Sequence, residues 1–388
     1  MTYLVFFSDI NGHNLEYCHH IYNVSKEIKK IDFVFVVPED FLLIRDRLIW
    51  DNATNIIFDY IDKRSFRKIN NKNLIARSYN VSLLFKTYYK RYNPCGAFVS
   101  TLNEVVPMLP FVFYRRANIS GIIYRIYLYE WKESSIVRRI IDASKMYLLS
   151  KSKLFSNILI LNDSVSSRYL NNIYSTNKFK DIIDPYIPLI HSQNHDFRRE
   201  YSIPTDSLLY SHIGSMNESK GTIDLLKALK RLVSGDVVFN DVVFAFVGKI
   251  SDEINDEFYE LIEQLTPNVK IIVKNEFCDY DTIANLCYES NLLILPYKRT
   301  SQSSGIIGYA SQFSVPVLMP KKGLLKRLVR LYGLGYLYGG DCVDGLADAI
   351  RKRLNSNSYE RPTTAYCVDH KLEAFSRSIN NLIYENIC

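Results

Sequence analysis

Short, continuous runs of apolar residues recur along the chain, separated by longer amphipathic segments. Thr2 to Phe7, Asp32 to Pro38 and Val242 to Val247 are such runs, and all three are rich in Val and Phe. Runs without polar alternation are typical of strands buried on both faces of a parallel sheet. The segments between them carry apolar residues at helical spacing. This alternation of strand and helix predicts an α/β protein built on parallel sheets.

The predicted elements form two sets, separated by a stiff segment that contains Pro185 and Pro188. Repeated βαβ units in both sets predict two Rossmann-like domains facing a cleft. The predicted parts are an N-terminal domain at 1–190, a C-terminal domain at 191–365, and a helix at 366–388 that packs back toward the N-terminal domain. The predicted strands are 2–7, 32–38, 55–59, 97–100, 119–127, 157–161, 208–213, 242–247, 269–273, 292–295 and 315–319. The predicted helices are 15–29, 133–152, 164–173, 222–233, 252–265, 280–289, 306–313, 345–354 and 371–387.

Charge is distributed unevenly between the two halves. The whole chain carries a formal net charge of +7. Residues 1–190 hold 26 Lys and Arg against 17 Asp and Glu, a balance of +9, which leaves 22 against 24 for residues 191–388. The two halves therefore suit different partners, and the basic half favours an anionic one.

The segment from Arg64 to Arg91 concentrates this basic charge. It contains eight Lys and Arg residues and no acidic residue. Its apolar residues follow near-helical spacing: Leu74, Ile75, Tyr79, Leu83, Leu84 and Tyr88. The segment predicts a basic amphipathic helix on an anionic membrane surface. A helix packed on the sheet with its charges in water is the alternative.

Several classes of protein are not expected. No run approaches the ~20 apolar residues that span a bilayer, and the start of the chain lacks the basic region of a secretory signal. The seven cysteines are scattered, without CxxC or Cys/His ligand spacing, so neither disulfides nor a metal site is expected. The basic residues lack a recognised nucleic-acid-binding context. We expect a cytoplasmic protein, peripheral at the inner face of the cell membrane.

The segment NLLILPYKRTSQSSGIIGYASQFSVPVLMPKKG, residues 291–323, predicts a strand, a polar loop, a helix and a second strand. Ser303 or Ser304 is placed to cap the helix that begins at Ile306. A small, hydroxyl-rich loop at a helix N-terminus presents free N–H groups and suits a phosphate. An ordinary βαβ connection is the alternative interpretation.

Three stretches in order, IGSMNESKGTIDLLKAL, FAFVGK and LPYKRTSQSSGIIGYASQFSVPVLMPKKG, carry a resemblance. The C-terminal half resembles the GT-B glycosyltransferases, and within them the GT4-like, group 1 enzymes of bacterial surface-polysaccharide synthesis. The N-terminal half is similar only in general layout, as expected for the acceptor-binding domain of that fold. The resemblance implies a nucleotide-sugar donor, UDP- or GDP-linked, and no metal or other cofactor.

The chain departs from the family pattern at several positions. The family's phosphate-contacting lysine matches Lys220, but Ser215 or Met216 stands where many members have arginine. The family's E-x7-E pattern is absent, and the segment resembles a QSSG variant instead. This departure puts ribose recognition by the second glutamate in question.

The expected donor site surrounds the leaving diphosphate. Lys220 and the N–H groups of Ser303, Ser304 and Gly305 would stabilise the charge that develops there. A surface role is the alternative for Lys220, for Glu276 near the base or ribose, and for Arg299 or Lys298. The full predicted donor-binding set is Gly214, Ser215, Lys220, Gly248, Glu276, Arg299, Gln302, Ser303, Ser304 and Gly305.

The expected acceptor site lies after the first and fourth strands. The predicted acceptor-binding residues are Asp9, Gly12, His13 and Glu16. His13 and Glu104 are the candidate bases if the enzyme inverts the anomeric centre, and a hydrogen bond within the turn is the alternative role for His13. Arg125 stands where relatives carry an active-site histidine, and it suits a phosphate of the acceptor or donor. A retaining reaction, implied by most relatives, needs no strong base.

Together these features predict a glycosyltransferase with catalytic roles for Lys220, His13, Glu104 and Arg125. The predicted acceptor is a lipid-linked oligosaccharide or another glycan of a bacterial surface polysaccharide. Two alternatives remain: a nucleotide-sugar epimerase or hydrolase on the same fold, and a non-catalytic sugar-binding partner subunit.

Overall fold

The structure, a computed structural model, describes residues 1–11, 13–70, 73–113, 116–191, 196–235, 237–239, 241–340, 342–356 and 360–387. The chain forms two compact units, Met1–Pro185 with Leu372–Cys388, and Tyr186–Lys371. The division falls five residues before the predicted one at 190/191. The segment 366–371 belongs to the second unit, although we predicted it as part of the C-terminal helix.

The first unit contains a seven-stranded, all-parallel sheet with the order β3-β2-β1-β4-β5-β6-β7. Its strands are β1 (Thr2–Phe6), β2 (Asp32–Pro38), β3 (Ile56–Ile61), β4 (Gly96–Val99), β5 (Ile119–Ile123), β6 (Phe155–Leu161) and β7 (Phe179–Ile182). Apart from the last helix of the chain, which is described below, its helices are α1 (His13–Glu27), α2 (Phe41–Ile44), α3 (Lys63–Ile69), α4 (Leu74–Tyr92), α5 (Leu102–Val105), α6 (Leu109–Val112), α7 (Ile136–Lys151) and α8 (Ser164–Tyr174). The chain builds outward from β1 in one direction and from β4 in the other, so the order reverses between these two strands.

The second unit has a six-stranded parallel sheet with the order β10-β9-β8-β11-β12-β13. Its strands are β8 (Leu208–Ile213), β9 (Val242–Val247), β10 (Lys270–Lys274), β11 (Leu292–Ile294), β12 (Val317–Pro320) and β13 (Gly335–Tyr338). Its helices are α9 (Phe197–Glu200), α10 (Thr222–Ser234), α11 (Asn255–Leu265), α12 (Tyr280–Glu289), α13 (Ile306–Gln312), α14 (Gly323–Tyr332), α15 (Cys342–Leu354) and α16 (Ala365–Asp369). The strand order reverses between β8 and β11. The prediction of two Rossmann-like α/β domains is confirmed.

The last helix, α17 (Leu372–Ile387), packs in the first unit against α1, β4 and β5. Asn386 is fully buried and donates from Nδ2 to the Tyr3 hydroxyl at 2.8 Å and to Ser120 Oγ at 3.0 Å. Gly96 leaves room for it, because a Cβ there would lie 3.0 Å from Asn386 Cβ. A buried amide with matched partners therefore ties the end of the chain to the first sheet.

Helices cover both faces of the first sheet. α1 and α17 share one apolar core with Tyr3 and Phe35. α4 covers the opposite face, where Phe85 packs edge-on against Phe6 at 5.4 Å. The crossovers from β5 to β6 and from β6 to β7 run in the same direction as the one from β3 to β4. Right-handed connections therefore place α7 and α8 on the same face as α4.

Some predicted elements need correction. The segment 64–91 contains two helices, because the Asn73 side chain caps α4 by accepting from the Ile75 and Ala76 N–H groups. The predicted strand at 119–127 ends at Ile123. β7, β13 and α14 were not predicted. The two strands, β7 and β13, are short edge strands that carry polar residues or glycine. Among the described residues, no helix has the length and apolar character needed to cross a membrane.

Candidate functional site

The loops that leave β8 and β11 lie side by side in the second unit, because these strands are neighbours at the point where the order reverses. Ligands of open parallel sheets bind outside the carboxyl ends of strands at such a point. The first loop comprises residues 214–221 and the second residues 295–305. Most of the predicted donor-binding residues belong to these two loops.

Two glycines allow close backbone contacts around these loops, Gly221 between the two loops and Gly248 between the loops after β8 and β9, and a third glycine leaves its backbone open. Gly248 has a φ of +150°, and a Cβ there would lie 1.8 Å from the Gly214 carbonyl oxygen. Gly221 has a φ of +70°, and a Cβ there would lie 2.0 Å from the Pro296 carbonyl oxygen. Gly214 itself has a φ of +104°, and a Cβ there would meet no atom within 4 Å. The backbone at Gly214 is therefore open on one side, which allows a ligand to approach it closely.

Lys220 lies over the aromatic ring of Tyr297, with its ammonium nitrogen 3.9 Å from the ring centroid. This distance allows a cation–π contact. Tyr297 is only 4% exposed, and its hydroxyl accepts a hydrogen bond from Ser304 Oγ at 3.4 Å. The Lys298 N–H donates to the Ser219 carbonyl at 3.0 Å and holds the two loops together. Tyr297 thus links Lys220 to residues 302–305, which we call the serine segment. Tyr297 itself was not predicted as a site residue.

His212 is buried at the end of β8, directly before this loop. Its Nδ1 lies 2.9 Å from the Ile294 carbonyl oxygen, which only accepts, so Nδ1 carries the proton. Its Nε2 then accepts from the Thr222 hydroxyl at 3.0 Å. Burial lowers the pKa of His212 to about 4, against a smaller opposing effect of the Ile294 carbonyl. The neutral imidazole therefore joins the end of β11 to the start of α10.

The serine segment differs from its prediction in one respect. Gly305 is the N-cap of α13, and no side chain caps that helix, so the predicted caps Ser303 and Ser304 are wrong. Ser304 is buried and faces Tyr297, while Gln302 and Ser303 are partly exposed. The N–H groups of Ser304 and Gly305 have no backbone acceptor within the described part of the chain. α13 has only seven residues, so these N–H groups matter more than the helix dipole.

The cations of the second loop face a polar cavity of about 630 Å³. Both are exposed, and the Lys298 ammonium lies 3.5 Å from a carboxylate oxygen of Glu218 and of Asp224. Arg299 is the one predicted donor residue among those that line this cavity. The lining residues are Asn217, Glu218, Ser219, Ser251, Asp252, Glu253, Lys298 and Arg299.

The other predicted donor residues lie at the rim of the same sheet edge. Ser215 is exposed beside Gly214. Glu276 is exposed and forms an ion pair with Lys274 at 3.0 Å. The Lys274 carbonyl accepts a hydrogen bond from the Gly248 N–H at 2.9 Å. Glu276, two residues after Lys274, is therefore close along the chain to the contact between Gly248 and Gly214.

In the first unit, the corresponding loops follow β1 and β4. Asp9 Oδ1 accepts from the Asn11 backbone N–H at 3.1 Å and from its side-chain amide at 2.8 Å, which holds the turn. His13 is exposed as the first residue of α1, and its Nδ1 lies 3.0 Å from Glu16. The predicted acceptor residue Gly12 lies outside the described residues.

Glu104 and Arg125 are both engaged by neighbouring side chains. Glu104 accepts a hydrogen bond from Ser8 through one oxygen and pairs with Arg77 through the other. Arg125 follows β5 and pairs with Glu130. This geometry favours an anchoring role for Glu104 between β1, α4 and α5 over that of a free base. Among the described residues, no group of three or more His, Cys, Asp or Glu side chains is arranged to hold a metal ion.

Comparison with known proteins agrees with this architecture. Residues 193–367 match the model of the family "Glycosyl transferases group 1". The structure is similar to sucrose-phosphate synthase from Thermosynechococcus elongatus, with a TM-score of 0.70 and 13% identity over 99% of this chain and 98% of that one. It is also similar to HepE from Anabaena in complex with UDP-glucose, with a TM-score of 0.67 and 14% identity over 100% and 99%. WaaG, a glycosyltransferase involved in lipopolysaccharide biosynthesis, gives a TM-score of 0.63 and 12% identity over 100% and 98%. No curated protein matches the sequence significantly.

The fold and the switch-point site define the class: this is a protein of the GT-B fold. Residues 193–367, within its second unit, match the glycosyl transferases group 1 family. The chain is a glycosyltransferase. The predicted resemblance to GT-B, GT4-like enzymes is thereby confirmed.

Proposed function

We propose that the protein transfers a sugar from a UDP- or GDP-linked donor to a lipid-linked or other glycan acceptor of a bacterial surface polysaccharide. The observation that carries the donor half is the contact of both Lys220 and Ser304 with Tyr297, where Lys220 belongs to the loop that begins at the open backbone of Gly214. The similar structure of HepE was solved with UDP and UDP-glucose, and WaaG is involved in lipopolysaccharide biosynthesis. Both facts support the proposal.

The diphosphate of the donor lies over Gly214 in this proposal, where no side chain blocks the backbone. Lys220 turns from the Tyr297 ring to the phosphate oxygens, and the N–H groups of Ser304 and Gly305 donate to them. These fixed donors stabilise the charge of the leaving diphosphate without a metal ion. Tyr297 keeps the ammonium near its working position, because the ring face attracts a cation when no phosphate is present.

A retaining reaction fits the first unit better than an inverting one. An inverting enzyme needs a base close to the acceptor hydroxyl. Glu104 has both oxygens engaged by Ser8 and Arg77, so it is not a free base. In a retaining reaction the leaving phosphate accepts the proton, so Glu104 and His13 are needed only for binding the acceptor.

Approach to a membrane is proposed through 64–91, as the sequence indicated. Arg64, Arg67 and Lys68 on α3 are exposed. Leu74 is 63% and Ile75 64% exposed on the first turn of α4. Tyr79 and Leu83 are also exposed, whereas Leu84 is partly buried and Tyr88 is buried. An apolar edge beside exposed cations suits a surface of anionic lipid.

Substitution of Lys220 tests the donor site. We expect Lys220→Ala to lower kcat/KM by about 100-fold, since one oxyanion donor commonly contributes that much. Release of UDP and GDP from a panel of nucleotide sugars is measured, together with the thermal shift produced by each free diphosphate. The matched control is Lys230→Ala on the exposed face of α10, where the ammonium contacts Gln264; it should retain full activity.

The outcomes separate the alternatives. Sugar release to water or isomerised donor in the wild type would identify a hydrolase or epimerase instead. No stabilisation by either diphosphate would favour the sugar-binding partner subunit. Equal activity of the Lys220 and Lys230 variants would contradict the proposed site.

A further inference from the structure

The outer face of α7 is apolar and uncovered. Ile136 is 73%, Val137 67% and Ile140 61% exposed, and Ile141 and Tyr147 continue the same face. The opposite face of α7 is buried, with Met146 and Leu149 in the core. These positions repeat at helical spacing, so the exposed side chains form one stripe along the helix. α7 therefore has one apolar face packed in the core and a second apolar face exposed on the surface, and the second face favours burial against a partner.

The neighbouring helix α8 carries a similar stripe. Val165, Tyr169 and Ile173 are spaced four residues apart, and each is about half exposed. α7 and α8 contact each other because β5, β6 and β7, which they connect, are neighbours in the sheet. Both helices lie on the face that also carries α4. We call the exposed apolar residues of α7 and α8 the α7–α8 surface: Ile136, Val137, Ile140, Ile141, Tyr147, Val165, Tyr169 and Ile173.

Cations surround the α7–α8 surface. Lys132, Lys151 and Arg168 are exposed. α8 contains no acidic residue, and the one acidic residue of α7, Asp142, is buried and paired with Arg138 at 2.9 Å. Trp131 lies at the start of this region, 38% exposed, with the Arg139 guanidinium 5.7 Å from its ring. Glu133, next to Lys132, is also exposed. The combination is apolar in the middle, basic on balance around it, and aromatic at the edge.

This chemistry selects one kind of partner. A second copy of the chain would bring two basic rims together, which like-charge repulsion opposes. An anionic bilayer offers a negative surface for the cations and an acyl boundary for the apolar side chains. Trp and Tyr side chains are favoured at that boundary.

We infer that the α7–α8 surface inserts into the interfacial layer of an anionic membrane. The inference rests on the proposed function in that a membrane-linked acceptor requires the enzyme to work at a membrane. It goes further in assigning insertion to α7 and α8, whereas the cations of 64–91 act at longer range. The two contributions respond differently to salt, because charge attraction is screened and apolar insertion is not.

The test is co-sedimentation with vesicles of equal parts phosphatidylglycerol and phosphatidylcholine, compared with pure phosphatidylcholine. The variant is Ile136→Asn/Ile140→Asn. The matched control is Leu331→Asn/Val368→Asn in the second unit, where the two side chains are 63% and 57% exposed. All four positions are exposed, so we expect both variants to fold. We expect the α7 variant to bind anionic vesicles at least about tenfold more weakly, and the control to bind as the wild type does.

A second readout places the surface at the membrane directly. The chain contains two tryptophans, and Trp131 is the one beside α7. In a Trp50→Phe background, its emission should shift to shorter wavelength on addition of anionic vesicles. Unchanged vesicle binding by the α7 variant, or no spectral shift, would overturn the inference.

Two further measurements keep this inference separate from the proposed function. Light scattering of the wild type and the α7 variant reports self-association; a dimer lost in the variant would assign the surface to a second copy instead. The thermal shift by UDP or GDP should be equal in both proteins. Loss of that shift in the wild type would count against the donor proposal and not against the membrane surface.

Discussion

The two units share one topology but differ at the point where their strand order reverses. In the second unit, Gly214 is open and Lys220 rests on an aromatic ring. In the first unit, the equivalent loops are filled by Asp9, which holds its own turn, and by Glu104, which Ser8 and Arg77 engage. A parallel sheet with a reversal therefore supplies a place for a ligand, and the loop residues decide its chemistry.

The two units also differ in net charge and in the apolar side chains that they expose. The first unit carries 27 Lys and Arg against 19 Asp and Glu, a balance of +8, and the second carries 21 against 22, a balance of −1. The first unit exposes apolar stripes on α4, α7 and α8, and its cations lie beside them. This difference is consistent with the proposal that one unit receives a nucleotide and the other meets an anionic surface.

The largest effect is expected from Gly248→Ala. The new methyl group would lie 1.8 Å from the Gly214 carbonyl, in a backbone conformation that alanine rarely adopts. We expect a loss of at least about 3 kcal/mol in the free energy of unfolding and no thermal shift by nucleotide. Gly339→Ala is the control, since its nearest contact is a lysine side-chain carbon at 3.8 Å. A Gly248→Ala protein of normal stability that binds nucleotide would show that the loops after β8 and β9 do not meet as described.

A smaller effect is expected from pH, and it should appear in both units. Burial lowers the pKa of His20 in the first unit and of His212 in the second to about 4, from 6.5. The unfolded chain therefore binds these protons first. Each neutral histidine contributes stability that is complete above pH 6.5 and is lost as the pH falls toward 4. At pH 5 each histidine should have lowered the free energy of unfolding by about 2 kcal/mol relative to its value at high pH.

Denaturation of the wild type, His20→Gln and His212→Gln at pH 7 and pH 5 measures this contribution. Each variant should lose less stability between the two pH values than the wild type. His212→Gln should cost more at pH 7, because His212 has two hydrogen-bond partners, whereas His20 Nδ1 has none in the described structure. A pH dependence unchanged in both variants would contradict the assignment of neutral imidazoles.

The smallest effect is expected from Glu104→Gln. The amide still accepts from Ser8 but loses the ion pair with Arg77, so we expect a loss of about 1 kcal/mol in stability. We expect kcat/KM to change less than about threefold, with the same pH–rate profile. A fall of 100-fold or more with a shifted profile would instead establish Glu104 as the base and an inverting reaction.

The strands with continuous apolar runs were predictable from the sequence. β2 and β9 have the predicted bounds, since burial on both faces leaves an unbroken pattern. β7 and β13 lie at the edges of their sheets, where FKDI and GYLY carry polar or glycine positions. Edge strands are buried less, so their pattern is weaker and local reasoning misses them.

The candidate site shows the same division. Lys220 and the serine segment were predicted because strand–loop–helix units with glycine have a recognisable local pattern. Tyr297 was not, since its contact with Lys220 depends on the approach of two loops that are distant in sequence. An aromatic residue directly after Pro296 was the one available signal, and on its own it is ordinary.

The sequence by itself determined the two α/β units, the uneven charge and the group 1 pattern, because these depend on residue type and local period. The tertiary structure decided which side chains are free to act. Arg77, Ser8 and Glu104 come from separate elements, and only folding joins them into an anchor. Likewise, the second apolar face of α7 is visible only once Met146 and Leu149 are known to fill the core and leave Ile136 and Ile140 outside. Local pattern predicts that a helix is amphipathic, whereas packing decides which of its apolar side chains lack a partner.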